Sequence, residues 1–329
     1  MVQPTLIIHK KLFMASKKII VVFGATGAQG GGLARAILND QNSEFSVRAV
    51  TRDVNSDKAK ALASLGAELV AANIDDAASM QKALQGAYGA YFVTFFWDHY
   101  SPEKEMAEAQ NMAQAAKAAG LQHCIWSTLE DTRKWVPLDD NRMPTIKEKY
   151  KVPHFDGKGA SDRVFTELGV PTTFLRASFY WDNFIYFGAG PKKGPDGKYY
   201  ITFPLDDAKM AGIASEDIGK CAYGIFKRGK EFIGKTVGIA GEHLTGQQIA
   251  EALSKALGQE ILFNNVTPET YRGFGFPGAD DLGNMFQFYR DFEEDVNKIR
   301  DVSFSRELNP ELQSFDQWLK ENAKKIPLD

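Results

Sequence analysis

The sequence lacks the features that mark several classes of protein. Only two of its 329 residues are cysteines, Cys124 and Cys221, which excludes a disulfide framework and favours a reducing compartment. No apolar run approaches the ~18 residues that a membrane helix needs. We therefore expect a cytoplasmic protein with no membrane partner.

The chain also has little excess charge and few histidines. Its 39 Lys and Arg residues nearly balance 42 Asp and Glu residues, and the formal net charge is -3. This balance provides no basic surface for nucleic acid, so we expect no direct nucleic-acid partner. The five histidines show no metal-binding spacing such as HExxH, and no metal site is expected.

The apolar pattern predicts an α/β fold. Hydrophobic residues make up 44% of the chain, which is enough for a sizeable core. Short β-branched or aromatic runs alternate with segments of helical length, and this alternation favours a doubly wound parallel sheet with helices on both faces. The predicted strands are 19–23, 47–50, 68–71, 90–95, 123–127 and 172–176. The predicted helices between them are 28–38, 56–65, 77–84, 102–119 and 155–168.

The rhythm changes near residue 182 and divides the chain into three parts. Residues 1–16 form an N-terminal extension with no assigned function. Residues 17–182 form the domain with the parallel sheet. Residues 183–329 form a smaller C-terminal α+β lobe over the ligand-binding edge, interleaved with the first domain, with helices predicted at 215–226, 245–257, 267–273 and 310–320.

A glycine-rich loop follows the first predicted strand. Gly24, Gly27 and Gly30 have the spacing GxxGxxG, which differs from the GxGxxG of the standard dinucleotide fingerprint. Small residues permit a tight turn, and the following helix N-terminus offers free N–H groups to a pyrophosphate. An ordinary strand-helix turn is the competing interpretation, but the position after a first βαβ strand favours a Rossmann-type nucleotide site. The predicted contacts are Gly24, Thr26, Gly27, Ala28, Gln29 and Gly30.

The end of the second strand selects between NAD(H) and NADP(H). Arg52 lies about 20 positions after the glycines, where an arginine accommodates the 2′-phosphate of NADP. Asp53 follows directly and is the competing candidate, because an acidic residue there would bind the ribose hydroxyls of NAD. The position of Arg52 directly after the apolar run favours NADP(H) over NAD(H).

Residues at the ends of the next two strands are further cofactor candidates. Asp75 and Asp76 follow the third strand, and Asp75 either approaches the adenine ring or caps the next helix. Thr94, Phe95 and Phe96 follow the fourth strand, where side chains line the cleft of open α/β sheets. Simple burial of the two aromatic rings is the alternative.

Several segments together resemble one family. They are VVFGATGAQGG at 21–31, HFDGKG at 154–159, PDGK at 195–198 and GFPGA at 275–279. With these segments the chain resembles the NmrA-like family of the atypical short-chain dehydrogenase/reductase superfamily, from about residue 18 to the C-terminus. The resemblance implies a Rossmann-type fold that binds a nicotinamide dinucleotide.

The resemblance also implies a catalytic site with one departure. Active members of the superfamily use Ser, Tyr and Lys, with the last two spaced YxxxK. Ser127 and Lys158 match the serine and the lysine, whereas His154 occupies the tyrosine position. Histidine can relay a proton in principle, because its unperturbed pKa is about 6.5. The segment that folds over the nicotinamide corresponds to Tyr180, Trp181, Asp182 and Asn183, although Trp181 also fits a buried position.

The altered site leaves two functions open. NmrA-like members bind the dinucleotide and act on regulatory partner proteins, so the resemblance implies a redox sensor in the cytoplasm and the nucleus, with a cofactor-linked homodimer. The alternative is an NADPH-dependent reductase of a quinone, an enone or another small molecule that uses Lys158. Given the net charge of -3, any effect on genes should pass through other proteins rather than through DNA.

Overall fold

The computed structural model describes residues 17–328. The predicted extension, residues 1–16, lies outside the described residues. Within them the strands are β1 (Lys18–Val22), β2 (Phe45–Thr51), β3 (Glu68–Ala71), β4 (Gly89–Phe92), β5 (His123–Thr128), β6 (Thr172–Arg176), β7 (Phe179–Tyr180), β8 (Lys192–Lys193), β9 (Tyr199–Phe203), β10 (Met210–Ile213), β11 (Thr236–Gly238), β12 (Glu242–Leu244) and β13 (Ile261–Asn265).

Helices flank these strands on both faces of the large sheet and in the lobe. They are α1 (Ala28–Asn39), α2 (Asp57–Ser64), α3 (Ala77–Leu84), α4 (Pro102–Ala119), α5 (Pro153–Glu167), α6 (Asn183–Tyr186), α7 (Ser215–Arg228), α8 (Gly246–Leu257), α9 (Pro268–Arg272), α10 (Ala279–Asp291), α11 (Glu293–Ile299), α12 (Val302–Leu308) and α13 (Phe315–Asn322). None of these helices combines the length and the apolar character needed to cross a membrane.

The central sheet confirms the predicted fold class. Its seven strands run in the order β11-β6-β5-β4-β1-β2-β3, and every neighbouring pair is parallel. The chain order reverses beside β1, and ligands of open α/β sheets bind at this switch point, outside the carboxyl ends of the strands. The fourth predicted strand was too long at its end, because β4 pairs with its neighbours only as far as Phe92. The three residues from Thr94 to Phe96 therefore lie beyond the sheet, at its ligand-binding edge.

Local signals in the sequence define the helix that borders this edge. The Ser101 hydroxyl accepts a hydrogen bond from the Lys104 N–H at 3.2 Å, and Pro102 occupies the first turn of α4. Gly120 ends the helix in the left-handed conformation at φ 66°. These are the capping signals that the sequence predicted.

Segments after residue 182 return to the large sheet. Strand β11 pairs with β6, and α7 crosses α1 closely. A Cβ atom on Gly219 would lie 2.0 Å from the Leu33 nitrogen, and one on Gly32 would lie 2.5 Å from the Glu216 oxygen. Only glycines permit this approach of the two backbones, which joins the C-terminal half of the chain to the first helix of the sheet domain.

Two small sheets and the remaining helices form the lobe. The sheets have the orders β12-β10-β7 and β13-β9-β8. The predicted helix at 310–320 was wrong at its start, because α13 begins at Phe315. Asp217 accepts hydrogen bonds from the side chain of Asn309 and the backbone of Gln313, which holds this stretch out of the helix. Ser314 and Gln317 then form a capping box at the start of α13.

Candidate functional site

The glycine loop lies between β1 and α1, at the switch point of the sheet. Gly24 has a φ of 62°, and a Cβ atom on Gly30 would lie 2.5 Å from the Gly24 oxygen. The backbone turn is therefore too tight for a side chain at either position. Gly27 precedes α1 and has no side chain to cap it. The first N–H groups of α1 are therefore not bound by a capping side chain. This uncapped helix start and its tight glycine turn fit a pyrophosphate.

Gln29 is the centre of a buried polar network behind the loop. Its Oε1 accepts hydrogen bonds from Ser127 Oγ at 2.8 Å and from the Tyr91 hydroxyl, while its Nε2 donates to the Tyr180 hydroxyl. Burial raises the pKa of Tyr180 to about 12 and raises the pKa of Tyr91 still further. Both phenols therefore stay neutral at physiological pH. The Ser127 hydroxyl is directed at the phosphate loop, and Tyr91 was not predicted because its strand position suggests an ordinary core residue.

Arg52 extends into solvent at the end of β2. Its side chain is 87% exposed and lies 3.5 Å from the Asp98 carboxylate. Asp53 is also exposed, and one oxygen of its carboxylate accepts a hydrogen bond from the Asn55 N–H at 2.8 Å. Both candidates for the adenosine ribose end are therefore exposed charged groups, and each has one partner nearby.

Asp75 and Asp76 follow β3 and have different partners. Asp76 caps α3 by accepting a hydrogen bond from the Ala78 N–H at 3.0 Å. Asp75 forms an ion pair with Lys104 at the start of α4. The capping alternative considered for Asp75 therefore belongs to its neighbour Asp76.

Lys158 lies at the centre of a polar cluster between the carboxyl end of β4 and the start of α4. Its Nζ is 2.6 Å from Glu105 Oε1 and donates to Thr94 Oγ1 at 2.7 Å. The Thr94 hydroxyl in turn donates to Glu105 at 2.5 Å. Lys158 is 9% exposed and Glu105 is fully buried. Desolvation raises the pKa of the Glu105 carboxyl, but Lys158, His99 and Thr94 outweigh it and lower that pKa to about 2. Glu105 therefore supplies a permanent negative charge beside Lys158.

Sequence reasoning missed Glu105. Glu103 and Glu105 both lie in the first turn of α4, where acidic residues are common for electrostatic reasons. The packing of α4 against α5 buries Glu105 and leaves Glu103 exposed. The signal that could have found it is the helical period, which places Glu105 on the same face of α4 as Ala109 and Met112.

His99 and Glu108 extend this cluster toward the surface. His99 Nε2 lies 3.5 Å from Glu105 and 3.9 Å from Glu108, and the three side chains have the proximity of metal ligands. However, His99 Nδ1 accepts a hydrogen bond from the Ser101 N–H at 3.1 Å, which leaves the ring hydrogen on Nε2. A ligating histidine instead donates from its second nitrogen. This tautomer suits contact with the two carboxylates rather than with a cation.

His154 is bound to the lobe. Helix α5 begins two residues earlier than predicted, with Pro153 in its first turn, so His154 lies one helical turn before Lys158. Its Nδ1 is 2.6 Å from Asp281 Oδ1, and its backbone N–H donates to Asp281 Oδ2 at 3.1 Å. Asp281 lies in the first turn of α10 and was not predicted. Its signal was indirect, because the GFPGA segment of the family resemblance leads into α10.

Aromatic residues surround His154 and the end of β4. Phe96 is 3% exposed and packs on the His154 ring, and Trp97 lies 4.9 Å from that ring between centroids. Phe95 instead is 48% exposed, and its ring packs edge-on against Phe187 with the ring centroids 6.3 Å apart. The two aromatic candidates thus differ, since Phe96 is buried and Phe95 is exposed to solvent.

The segment 180–183, which is predicted to contact the nicotinamide, has partners in two parts of the protein. Tyr180 joins the Gln29 network, and Asn183 begins α6. Asp182 accepts a hydrogen bond from the Ser215 N–H at 2.9 Å, at the start of α7. Trp181 is 2% exposed and packs against Phe315 in the core of the lobe. A cofactor role for these four residues stays a prediction.

The parallel sheet order, the glycine turn and the uncapped helix define a Rossmann-type protein. Residues 16–319 match the model of the NmrA-like family, and the chain belongs to this family. One relative is the NmrA-like family domain-containing oxidoreductase FrzB of Cladobotryum sp, 28% identical over 290 residues that cover 82% of this chain and 83% of the relative. A family member from Dictyostelium discoideum is 27% identical over 319 residues, covering 94% and 99% of the two chains.

Solved structures share the fold. NmrA, a negative transcriptional regulator, in complex with NADP has a TM-score of 0.76 at 23% identity, over 93% of this chain and 95% of its own. The triphenylmethane reductase of Citrobacter sp. complexed with NADP(H) has a TM-score of 0.70 at 20% identity, over 92% and 99%. The fold therefore occurs both in a transcriptional regulator and in a reductase.

Proposed function

We propose that the chain binds NADP(H) along the carboxyl edge of its sheet. The proposal is supported by the tight glycine turn, by the uncapped start of α1, and by the 87% exposed side chain of Arg52. The pyrophosphate would lie at the loop, and the 2′-phosphate would lie at Arg52, whose guanidinium can bind a phosphate with two hydrogen bonds. Lys158 would reach the hydroxyls of the nicotinamide ribose.

Fluorescence titration with NADPH and NADH tests the cofactor preference. We expect Arg52→Ala to weaken NADPH binding about 10-fold, which corresponds to ~1.4 kcal/mol, and to leave NADH binding unchanged. Arg163→Ala is the matched control, because this arginine is exposed on α5, and it should alter neither affinity. Equal loss for both cofactors in Arg52→Ala would assign Arg52 another role.

We infer that the activity is the NADPH-dependent reduction of a small conjugated molecule. The sequence offers this function as the alternative to a redox sensor. The observation that carries this inference is the buried cluster of Lys158, Glu105 and Thr94 at the cleft. Burying an ion pair is expensive, and perturbed, desolvated charges concentrate at functional sites. NADPH, when bound, supplies a hydride, while Lys158 would hold the cofactor and His154 lies one turn away.

The mouth of the cleft suggests the class of substrate. Phe95 and Phe187 are 48% and 59% exposed and contact each other, and Phe95 directly follows Thr94. Exposed aromatic faces offer stacking surfaces to a planar ring. A quinone or an enone combines such a ring with an oxygen atom that must receive a proton on reduction.

NADPH oxidation across a panel of quinones and enones tests the reductase. We expect turnover that falls at least about 100-fold in Lys158→Ala, since a positioned charged group contributes on that scale. Lys60→Ala, at an exposed position of α2, should retain the wild-type rate. If NADPH binds tightly and no acceptor in the panel is reduced, the reductase function is wrong.

A regulatory role as a redox sensor is the second candidate. It is supported by the hydrogen bonds of two candidate catalytic residues, which lead to different parts of the protein. Ser127 is bonded to Gln29, and His154 is bonded to Asp281 of the lobe. A change at the cofactor could thereby reach the lobe and a regulatory partner protein in the cytoplasm or the nucleus. Hydrogen exchange of α10 and the sedimentation coefficient, compared between NADPH and NADP⁺, test this role. A sensor predicts a difference without turnover, and a homodimer linked to the cofactor would appear in the sedimentation.

A further inference from the structure

The pairing of His154 with Asp281 fixes the tautomer of the imidazole ring. A carboxylate at 2.6 Å from Nδ1 accepts a hydrogen bond, so Nδ1 carries a hydrogen atom. The second carboxylate oxygen accepts the backbone N–H of the same residue at 3.1 Å. Asp281 is 4% exposed, and its two oxygens thus hold both the ring and the backbone of His154. This arrangement sets the direction of Nε2.

The surroundings of the ring leave Nε2 as its available nitrogen. Phe96, Trp97 and Phe155 pack around the imidazole with centroids 4.7 to 5.8 Å away, which restricts its rotation. Among the described residues, no hydrogen bond involves Nε2, and 9% of the side chain remains exposed. The ring is therefore buried on the side of Asp281 and retains one nitrogen for a ligand.

We propose that Asp281 and His154 form a catalytic pair, in which His154 Nε2 donates the proton to the substrate oxygen and Asp281 positions the ring. The proposal rests on the reductase function proposed above. It adds Asp281, a residue of the lobe that lies 127 positions from its partner. His154 would be a catalytic residue, and Asp281 would be a positioning residue that acts through it. Carboxylate-bound imidazoles serve as proton donors and acceptors in other enzymes by the same logic.

The step balances without a further reactant. His154 Nε2–H gives its proton to the oxygen of a conjugated carbonyl acceptor, whose carbon takes the hydride of NADPH. The products are the hydroxyl compound and NADP⁺. His154 is left neutral, with its Nδ1 hydrogen still bonded to Asp281, and it regains the Nε2 proton from water.

Charged side chains from three helices surround this step. Asp281 of α10 lies 2.6 Å from Nδ1 of His154, and Lys158 lies one turn along α5. Glu105 of α4 pairs with Lys158 at 2.6 Å and offsets its charge.

Three variants separate a catalytic pair from a structural contact. His154→Asn should lower kcat by about 10²- to 10⁴-fold, which is the range for general acid catalysis. Asp281→Asn should lower kcat at least about 10-fold, because the ring then loses the carboxylate that fixes its orientation. Asp280→Asn is the matched control, because Asp280 is exposed in the same turn of α10, and its kcat should be unchanged. NADPH affinity should stay within about 2-fold in all three variants if the effects arise from proton donation.

Nitrogen-15 NMR of the histidine rings gives a readout that does not depend on turnover. We expect His154 to carry hydrogen on Nδ1 in the wild type and in Asp280→Asn, and to become a mixture of tautomers in Asp281→Asn. A tautomeric mixture in the wild type would overturn the pairing, as would a wild-type kcat in both His154→Asn and His154→Gln while Lys158→Ala is inactive. Absence of turnover in the wild type overturns the reductase function and this inference together.

Discussion

The phosphate loop at residues 24–30 and the lysine side of the cleft are built in different ways. The loop keeps its shape through its own backbone, as the close approach of Gly30 to the Gly24 oxygen illustrates. Lys158 and His154 instead depend on Glu105 and Asp281, which come from other helices. One side of the site is thus a local turn, and the other is an assembly of buried charges.

This difference has an energetic consequence. A tight turn fails when a side chain is added, because atoms then overlap. A buried charge fails when its partner is removed, because an uncompensated charge remains in a medium of low dielectric constant. The following predictions test the two kinds of construction, and the largest effect is expected where the lobe meets the sheet.

The ion pair of Glu130 and Arg300 should give the largest loss of stability. Both side chains are fully buried, and the guanidinium donates to both carboxylate oxygens, at 2.6 and 2.9 Å. We expect Glu130→Gln to lower the free energy of unfolding by about 3–5 kcal/mol, because Arg300 keeps its charge. Urea unfolding measures the change.

An exposed ion pair provides the control for that prediction. Glu44 pairs with Lys18 at side-chain exposures of 54% and 46%. Glu44→Gln should change the free energy of unfolding by less than about 1 kcal/mol. Equal effects at Glu44 and Glu130 would remove the distinction between buried and exposed charge that the comparison depends on.

A methyl group in the phosphate loop should have a smaller effect on stability. In Gly30→Ala the new Cβ would lie 2.5 Å from the Gly24 oxygen and 2.7 Å from the Phe23 oxygen. We expect a loss of about 1–3 kcal/mol together with weaker NADPH binding, measured by urea unfolding and by titration. Gly273→Ala has a nearest contact of 3.3 Å and should leave both quantities almost unchanged.

Asp162 should give an effect on stability that depends on pH. Burial raises the pKa of its carboxyl from 3.8 to about 7, against the hydrogen bond donated by Thr128. Because the pKa in the folded state exceeds that in the unfolded state, the proton stabilises the fold at low pH, and this contribution is lost as pH rises from about 4 to about 7. The Tm of Asp162→Asn should therefore exceed that of the wild type above pH 7, and the difference should shrink toward pH 4.

Asp139→Asn serves as the matched variant for this test, because Asp139 is exposed. Its Tm should follow the wild type at every pH. A pH-independent difference between Asp162→Asn and the wild type would show that the carboxyl does not titrate in this range.

Much of the fold could be predicted because its signals are local. Ser101, Pro102 and Gly120 delimit α4 by the conformations and hydrogen bonds of their own backbone. The strand-helix alternation likewise predicted the parallel sheet. The helix predicted at 310–320 started at the wrong residue, because Asp217 binds Asn309 and Gln313 from a distant part of the chain.

The lysine side of the site could be predicted only in part. Lys158 and His154 were identified through the HFDGKG segment, whereas their partners Glu105 and Asp281 were not. A buried carboxylate and an exposed one have the same letter in the sequence, and their burial depends on which helix packs over them. The direction of the Ser127 hydroxyl toward Gln29 also depends on the packing of β5 beside α1.

The sequence by itself determined the glycine turn, the strand-helix alternation and the charged residue at the end of β2, because each depends on neighbours within one or two turns of chain. The tertiary structure decided which charges meet. Glu105 reaches Lys158 only because α4 packs against α5, and Asp281 reaches His154 only because the lobe places α10 on the cleft. Asp281 and His154 lie 127 residues apart, so packing selects them as partners, and no local pattern encodes that choice.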